Sequence, residues 1–246
     1  MKCKNCNNEF ENKFCNHCGQ SSKVDRINWK YLVNSIANDI FQINHGFLYT
    51  AKILLLKPGK NLSDFFTGKR KNFYKPFAFL LISSTIFLLS TKLIGNETFI
   101  DDFVNGLRTA SNDNPDKSPD LRMFDFLTNN QTYAFLFIVP IFSIASLISY
   151  RKSKYNFSEY LILNLYITGE QLLIYTVFSF IKDRDSLIII APIILGFLYN
   201  LYVYNTFFGE LSWLNRNFKF ILTYFIYLIL MGILLILLMI TTANIV

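Results

Sequence analysis

Residues 218–243 read FKFILTYFIYLILMGILLILLMITTA. As a helix rising 1.5 Å per residue this stretch is about 39 Å long, more than the roughly 30 Å of a bilayer's hydrocarbon core. So long an apolar run predicts a membrane span and not a core helix of a soluble domain. Towards the N terminus, four further stretches of the same character occupy about residues 187–208, 160–181, 132–149 and 77–94. Composition agrees: of 246 residues 52% are hydrophobic and 17% charged, which excludes both a disordered chain and a typical soluble enzyme. The expected fold is an all-α polytopic membrane protein with about five transmembrane helices in residues 76–246. A small N-terminal zinc ribbon, residues 1–22, and an amphipathic helical module, residues 23–75, precede them. Lys92 falls where a long side chain can snorkel to the headgroups. Pro140, Pro192 and Gly196 require neighbouring groups to satisfy the loosened backbone.

Charge sets the expected orientation. Of the 24 lysines and arginines, eighteen lie before residue 76 or in the loops after the second and fourth spans, and six lie on the other side. Under the positive-inside rule the N terminus is cytoplasmic and, after five crossings, the C terminus is external. Residues 95–131 then form an external loop, with Asn114-Pro115 and Ser118-Pro119 at its centre. Phe99, Phe103 and Leu107, then Met123, Phe124 and Leu127, predict two short surface helices around that centre, with a partly disordered loop as the alternative.

All four cysteines fall in the first 20 residues, as Cys3-x2-Cys6 and Cys15-x2-Cys18. Each pair forms a short knuckle aiming two thiolates at one point, and an eight-residue spacer lets the second pair complete a tetrahedron, so the pattern predicts structural zinc. Gly19 stands where a knuckle needs an unhindered backbone, and Phe10 and Phe14 are expected to cap the small core. Lys2, Lys4, Lys13 and Lys23 offset the charge of about −2 on a tetrathiolate zinc centre. Two disulfides are the alternative, disfavoured by the cytoplasmic placement and by the lack of an expected cleavable signal peptide. His17 is an alternative ligand, although four cysteines already complete the set. Such a site has no open coordination position, so the ribbon is expected to supply folding energy and a docking surface for a protein partner. Nucleic acid is not the expected partner despite the net charge of +7, because the bases continue past the ribbon along the membrane boundary.

Between ribbon and spans, Trp29, Leu32, Val33, Ile36, Ile40 and Ile43 recur at helical spacing. Asn44-His45-Gly46 interrupts this amphipathic helix, and a second apolar segment, residues 47–56, stops at Lys57-Pro58-Gly59. Ten residues are too few to span a bilayer, so the segment either lies in the interface or packs beneath the spans. Lys57, Lys60, Lys69, Arg70, Lys71 and Lys75, with Lys52, suit anionic headgroups at about 1 kcal/mol each.

Polar groups inside the spans are the other place to look for function. In the third span Asn164, Thr168, Gln171 and Tyr175 share one face, while Glu170 points about 100° away, nearer Tyr166. A helix with two polar faces is expected to be surrounded by protein. In the fourth span Pro192, Gly196, Asn200 and Tyr204 form a second ridge of small and polar residues. Interhelical hydrogen bonding explains these residues, and a proton or cation site at Glu170 is the alternative. No catalytic motif is visible: the two histidines, His17 and His45, form no metalloprotease pair, and Gly68-Lys69-Arg70 lacks the spacing of a phosphate loop. The protein is not expected to be an enzyme.

Cys-Lys-Asn-Cys and Phe-Cys-Asn-His-Cys-Gly-Gln within residues 3–20 carry a resemblance. They are followed by Arg26-Ile27, Asn44-His45-Gly46, Thr50, Lys57-Pro58-Gly59, Gly68-Lys69-Arg70 and Lys75-Pro76-Phe77. The series resembles the bacterial membrane proteins grouped as domain of unknown function family 3667, over roughly the first 90 residues. Where the family has an acidic residue before Gly46, this chain has His45. The resemblance implies a bacterial inner-membrane setting and a defined module over residues 26–76, and no activity. Two functions are consistent with the residues: a non-enzymatic protein whose ribbon and basic module dock a partner or sense the membrane surface, and a small transporter or channel-like subunit using the polar faces around Glu170.

Overall fold

A computed structural model describes residues 1–33, 46–111, 128–181 and 186–243. Among them the structure is helical and contains no strand beyond two isolated bridges in the first 21 residues. The helices are α1 (Gly46–Leu56), α2 (Pro58–Thr67), α3 (Pro76–Ile94), α4 (Phe99–Ser111), α5 (Gln131–Ser149), α6 (Phe157–Ser179), α7 (Ser186–Phe207) and α8 (Trp213–Ala243). Five of these, α3 and α5 to α8, are long and apolar enough to cross a membrane.

Local chemistry sets their ends. Pro76 occupies the first turn of α3, where its missing N–H costs nothing, and Gly95 closes the helix in the left-handed region at φ +80°. α6 starts three residues before the apolar run because of a capping box. Asn156 Oδ1 accepts from the Glu159 amide at 3.0 Å, and Glu159 Oε2 accepts from the Asn156 amide at 2.8 Å.

α6 lies at the centre, packed on α3, α5 and α7, and every residue from Ser158 to Ile167 is buried. Gly169 permits the close approach of α3: a Cβ there would lie 2.6 Å from the Phe79 ring. α8 is peripheral, packed on α5 and α7. Its outer face exposes Leu214, Phe218, Ile221, Phe225 and Leu228, an apolar surface suited to lipid.

The segment before the spans is built into the same core, which joins Ile27, Leu32, Leu54, Leu62 and Phe65 to Tyr166 and Tyr204. Asn28 starts a helix at Trp29 by accepting from the Tyr31 amide at 3.0 Å. Leu32 is buried there, whereas Trp29 and Val33 are exposed. Ile36, Ile40, Ile43, Asn44 and His45 lie outside the described residues. α1 stops at Leu56 as Lys57-Pro58-Gly59 predicts, but the chain re-enters a helix at once, with Pro58 in the first turn of α2. Sequence reading did not anticipate α2. It rests on contact with α7, where a Cβ on Gly59 would sit 2.4 Å from the Thr206 carbonyl carbon. α1 packs alongside α7: Tyr199 and Tyr202 on α7 donate to its terminal carbonyls, Leu54 O at 3.3 Å and Leu56 O at 3.1 Å.

On the opposite side of the bundle, Phe99–Ser111 forms the first of the two expected surface helices. Asp101 caps it with Thr98 and accepts from Gln131 Nε2 at 3.0 Å, fixing it to the start of α5. Met123, Phe124 and Leu127 lie outside the described residues.

Candidate metal centre and intramembrane polar seam

The two knuckles fold alike, twelve residues apart. The Cys3 sulfur accepts from the amides of Asn5 and Cys6, and the Cys15 sulfur from those of His17 and Cys18. Asn7 donates to Cys3 O at 2.9 Å and Gly19 to Cys15 O at 2.8 Å, each in the left-handed region at φ +61° and +72°. Asn7 thus plays the part expected only of glycine. All four sulfurs lie within 4.8 Å of one another, with Cys3–Cys18 and Cys6–Cys15 both at 3.6 Å. That is too long for a disulfide of about 2.05 Å. It fits a tetrahedral site, since bonds of about 2.3 Å to a central ion put the sulfurs about 3.8 Å apart. The set can therefore hold a metal ion. His17 is exposed and stands outside it.

Cys15 is pulled down to about 6, first by the Cys18 amide, so its thiolate is readily available as a ligand. The Asn8 amide lowers Cys6, but burial and the three neighbouring sulfurs outweigh it and push Cys6 up to about 12. Four sulfurs this close resist full ionisation until a cation neutralises them. Phe10 packs against this centre as expected. Phe14 does not: it is 61% exposed, because its bridge to Ser21 turns the ring away from the sulfurs.

The cysteine cluster is fastened to the bundle. Buried Gln20 donates from Nε2 to Gly68 O at 2.8 Å, and its Oε1 accepts from the amides of Arg70 and Lys71, both at 3.2 Å. Arg26 forms a bidentate pair with Glu159 at the start of α6, at 3.0 and 2.9 Å, and also donates to Lys154 O. Next to it Asn156 Nδ2 donates to Ile27 O at 2.9 Å. Tyr74 bridges the same region: its amide donates to Thr50 Oγ1 at 2.8 Å and its carbonyl accepts from Tyr166 Oη at 2.6 Å. Sequence reading missed Gln20, Arg26 and Glu159 as a set. The pattern Asn156-x-x-Glu159 was the one available signal, since it places an acid at the mouth of a span.

Of the bases expected at headgroups, Lys69 is paired with Asp64 at 2.7 Å. Arg70 is spent largely on protein: Nε donates to Phe65 O, Nη2 to Asp25 O, and the guanidinium lies 4.9 Å from the Tyr31 ring centroid. Lys57, Lys60 and Lys71 are exposed and Lys75 is half-buried.

Within the spans, the two ridges read from sequence face each other. Tyr204 Oη donates to Asn164 Oδ1 at 2.9 Å, and Gln171 Nε2 donates to Gly196 O at 2.8 Å. Tyr175 fills the space Gly196 leaves, its hydroxyl 2.3 Å from where a Cβ would stand. α5 completes the knot through Ser146 Oγ, 2.6 Å from Tyr204 Oη, and Ser143 Oγ, which accepts from Asn164 Nδ2 at 3.1 Å. These serines were missed, although their spacing of three marked a polar face on an otherwise apolar helix. Asn200 donates to Tyr224 on α8 at 2.9 Å. Thr168 is half-buried beside the ridge. Glu170 is 3% exposed, its Oε2 has no hydrogen-bond partner, and Tyr166, one turn earlier, is committed to Tyr74.

These features define a class: a helical protein with five helices able to cross a membrane and a four-cysteine centre able to hold a metal ion, joined to them through a hydrogen-bonded base. Residues 44–88 match the model of a family described as "Protein of unknown function (DUF3667)". The match supports the resemblance carried by Gly46, Lys57-Pro58-Gly59, Gly68-Lys69-Arg70 and Lys75-Pro76, and covers α1, α2 and the first two thirds of α3. No curated protein and no solved structure matches the chain.

Proposed function

We propose that this protein is a non-enzymatic component of the bacterial inner membrane, with a structural zinc ribbon as a cytoplasmic docking and sensing head. The N terminus is inside and the C terminus outside. The observation that supports this reading best is the fastening of the ribbon. Gln20 clamps the metal-held fold onto the turn at Gly68–Lys71, five residues before the first span, and Arg26 locks the following linker to α6. A ribbon used only as a tethered module has no need of such anchors, whereas one that reports binding to the bundle does. Zinc is the ion best matched to four thiolates, and its closed coordination leaves no position for a substrate.

The test is a photo-crosslinking residue at the exposed position 14, in wild type and in Cys15→Ser, in native membranes. A discrete crosslinked partner that disappears in Cys15→Ser, at equal membrane levels of the two proteins, supports docking. Crosslinks unchanged by loss of the metal site refute it. Glu170 favours a second reading, a small transporter or channel-like subunit, because an acid buried among apolar helices with its Oε2 unpartnered is costly and is retained for a reason. Proteoliposomes test it: Glu170→Gln should abolish a pH-dependent flux, and flux that persists unchanged removes the reading.

A further inference from the structure

We infer that the junction of ribbon, linker and first span is a binding site for a phosphate-bearing anion. A cavity of about 460 Å³ opens there between residues 19–31 and residues 70–75, within the usual size range of ligand pockets. Six basic side chains line it, Lys23, Arg26, Lys30, Arg70, Lys71 and Lys75, against one acid, Asp25. Three of the six are already engaged: Arg26 by Glu159, Arg70 by Phe65 O, Asp25 O and the Tyr31 ring, and Lys75 by a contact of its own. The engagement of Arg70 is incomplete, since its Nη1 has no partner among the described residues, so the guanidinium is held rigid with one edge unspent. Lys23, Lys30 and Lys71 are exposed, and no ion pair balances any of them among the described residues.

A preorganised guanidinium with exposed ammonium groups around it suits a phosphate's several acceptor oxygens. Like charges gathered on one cavity repel, and an anion entering it relieves that repulsion. The site is also tied to the metal centre: Gly19 and Gln20 of the second knuckle form one wall, and Gln20 holds the Arg70-Lys71 backbone that forms another. Lys75 directly precedes the first residue of α3, so the phosphate of a lipid headgroup and that of a soluble phosphate ester are both within reach.

Titration calorimetry on the full-length protein in an uncharged detergent distinguishes the two sources, using inorganic pyrophosphate in one arm and a short-chain phosphatidylglycerol in the other. Saturable binding of either probe is expected, weakened at least roughly tenfold in Lys23→Gln/Lys30→Gln/Lys71→Gln. The control Lys13→Gln/Arg151→Gln/Lys152→Gln removes the same charge from exposed positions outside the cavity and should bind as wild type. Metal content equal to wild type checks that each triple variant is folded. Binding of pyrophosphate alone identifies a soluble ester, and binding of the lipid alone identifies a headgroup. The proposal is overturned if neither probe saturates, if the pocket variant binds as wild type, or if both triple variants weaken binding equally.

Discussion

Replacing Gln20 with alanine should release the ribbon from the bundle while leaving the metal site intact. Three hydrogen bonds are lost, one of 2.8 Å to Gly68 O and two of 3.2 Å from the amides of Arg70 and Lys71. At about 0.5–1.5 kcal/mol net each, with the two longer bonds at the low end, the loss is about 2–3 kcal/mol. That corresponds to a rise of about 30- to 150-fold in the population of the undocked state. Hydrogen exchange on protein in nanodiscs reads it directly. Peptides covering residues 66–74 should lose protection by that factor, while peptides from α6 and α8 stay unchanged and metal content holds. Gln20→Glu should cost more, because it turns a donor into a second acceptor facing the Gly68 carbonyl. Exchange at residues 66–74 within about threefold of wild type in Gln20→Ala would refute the clamp.

Other positions give independent checks. Gly59→Ala places a methyl group 2.4 Å from the Thr206 backbone and should cost about 1–3 kcal/mol, seen as a lower thermal midpoint in detergent, whereas Gly232→Ala, with nothing within 4 Å, should be neutral or better. A double-mutant cycle of Arg26→Ala and Glu159→Gln should give a coupling of about 1–3 kcal/mol, moderated because the Arg26 side chain is 62% exposed although Glu159 is 6%. Cys15→Ser should reduce bound metal, measured by elemental analysis, from about one ion per chain to near zero, since three thiolates hold zinc far less firmly than four. Tyr204→Phe removes the hydroxyl shared by Ser146 and Asn164 and should cost about 1 kcal/mol in an unfolding titration; no change would mean the seam rests on packing alone.

Spans were legible because lipid imposes a length and a polarity that a single chain displays without its neighbours. The cysteine quartet was legible for a similar reason, as four ligands in two local pairs need nothing distant to complete them. α2 was hidden: Pro58, Gly59, Asn61, Ser63 and Asp64 are poor helix formers, and the helix exists because Gly59 lets it lie on Thr206, a contact spanning the whole bundle. The two ridges of α6 and α7 were visible as series of fourth residues, yet nothing local said that Asn164 would meet Tyr204 or that Ser143 and Ser146 would join them. Charge counting placed Arg70 at the headgroups, while the fold spends most of its guanidinium on Phe65 O, Asp25 O and Tyr31. A count of bases cannot distinguish one that meets solvent from one that holds a linker.

Glu159 lies 133 residues after Arg26, and Thr206 follows Gly59 later still. At about 5–20 residues per second, a ribosome needs roughly 7–27 s after making Arg26 before its partner exists. The cysteine knuckles, closed within their own first twenty residues, can fold and take up metal during that interval. The segment between them and the first span cannot, because Tyr74, Leu54 and Gly59 all wait for α6 and α7. The segment before the first span is therefore expected to settle only after α6 and α7 are in place. A membrane-insertion defect in α6 or α7 should accordingly appear first as protease sensitivity near residues 57–75, far upstream of the lesion.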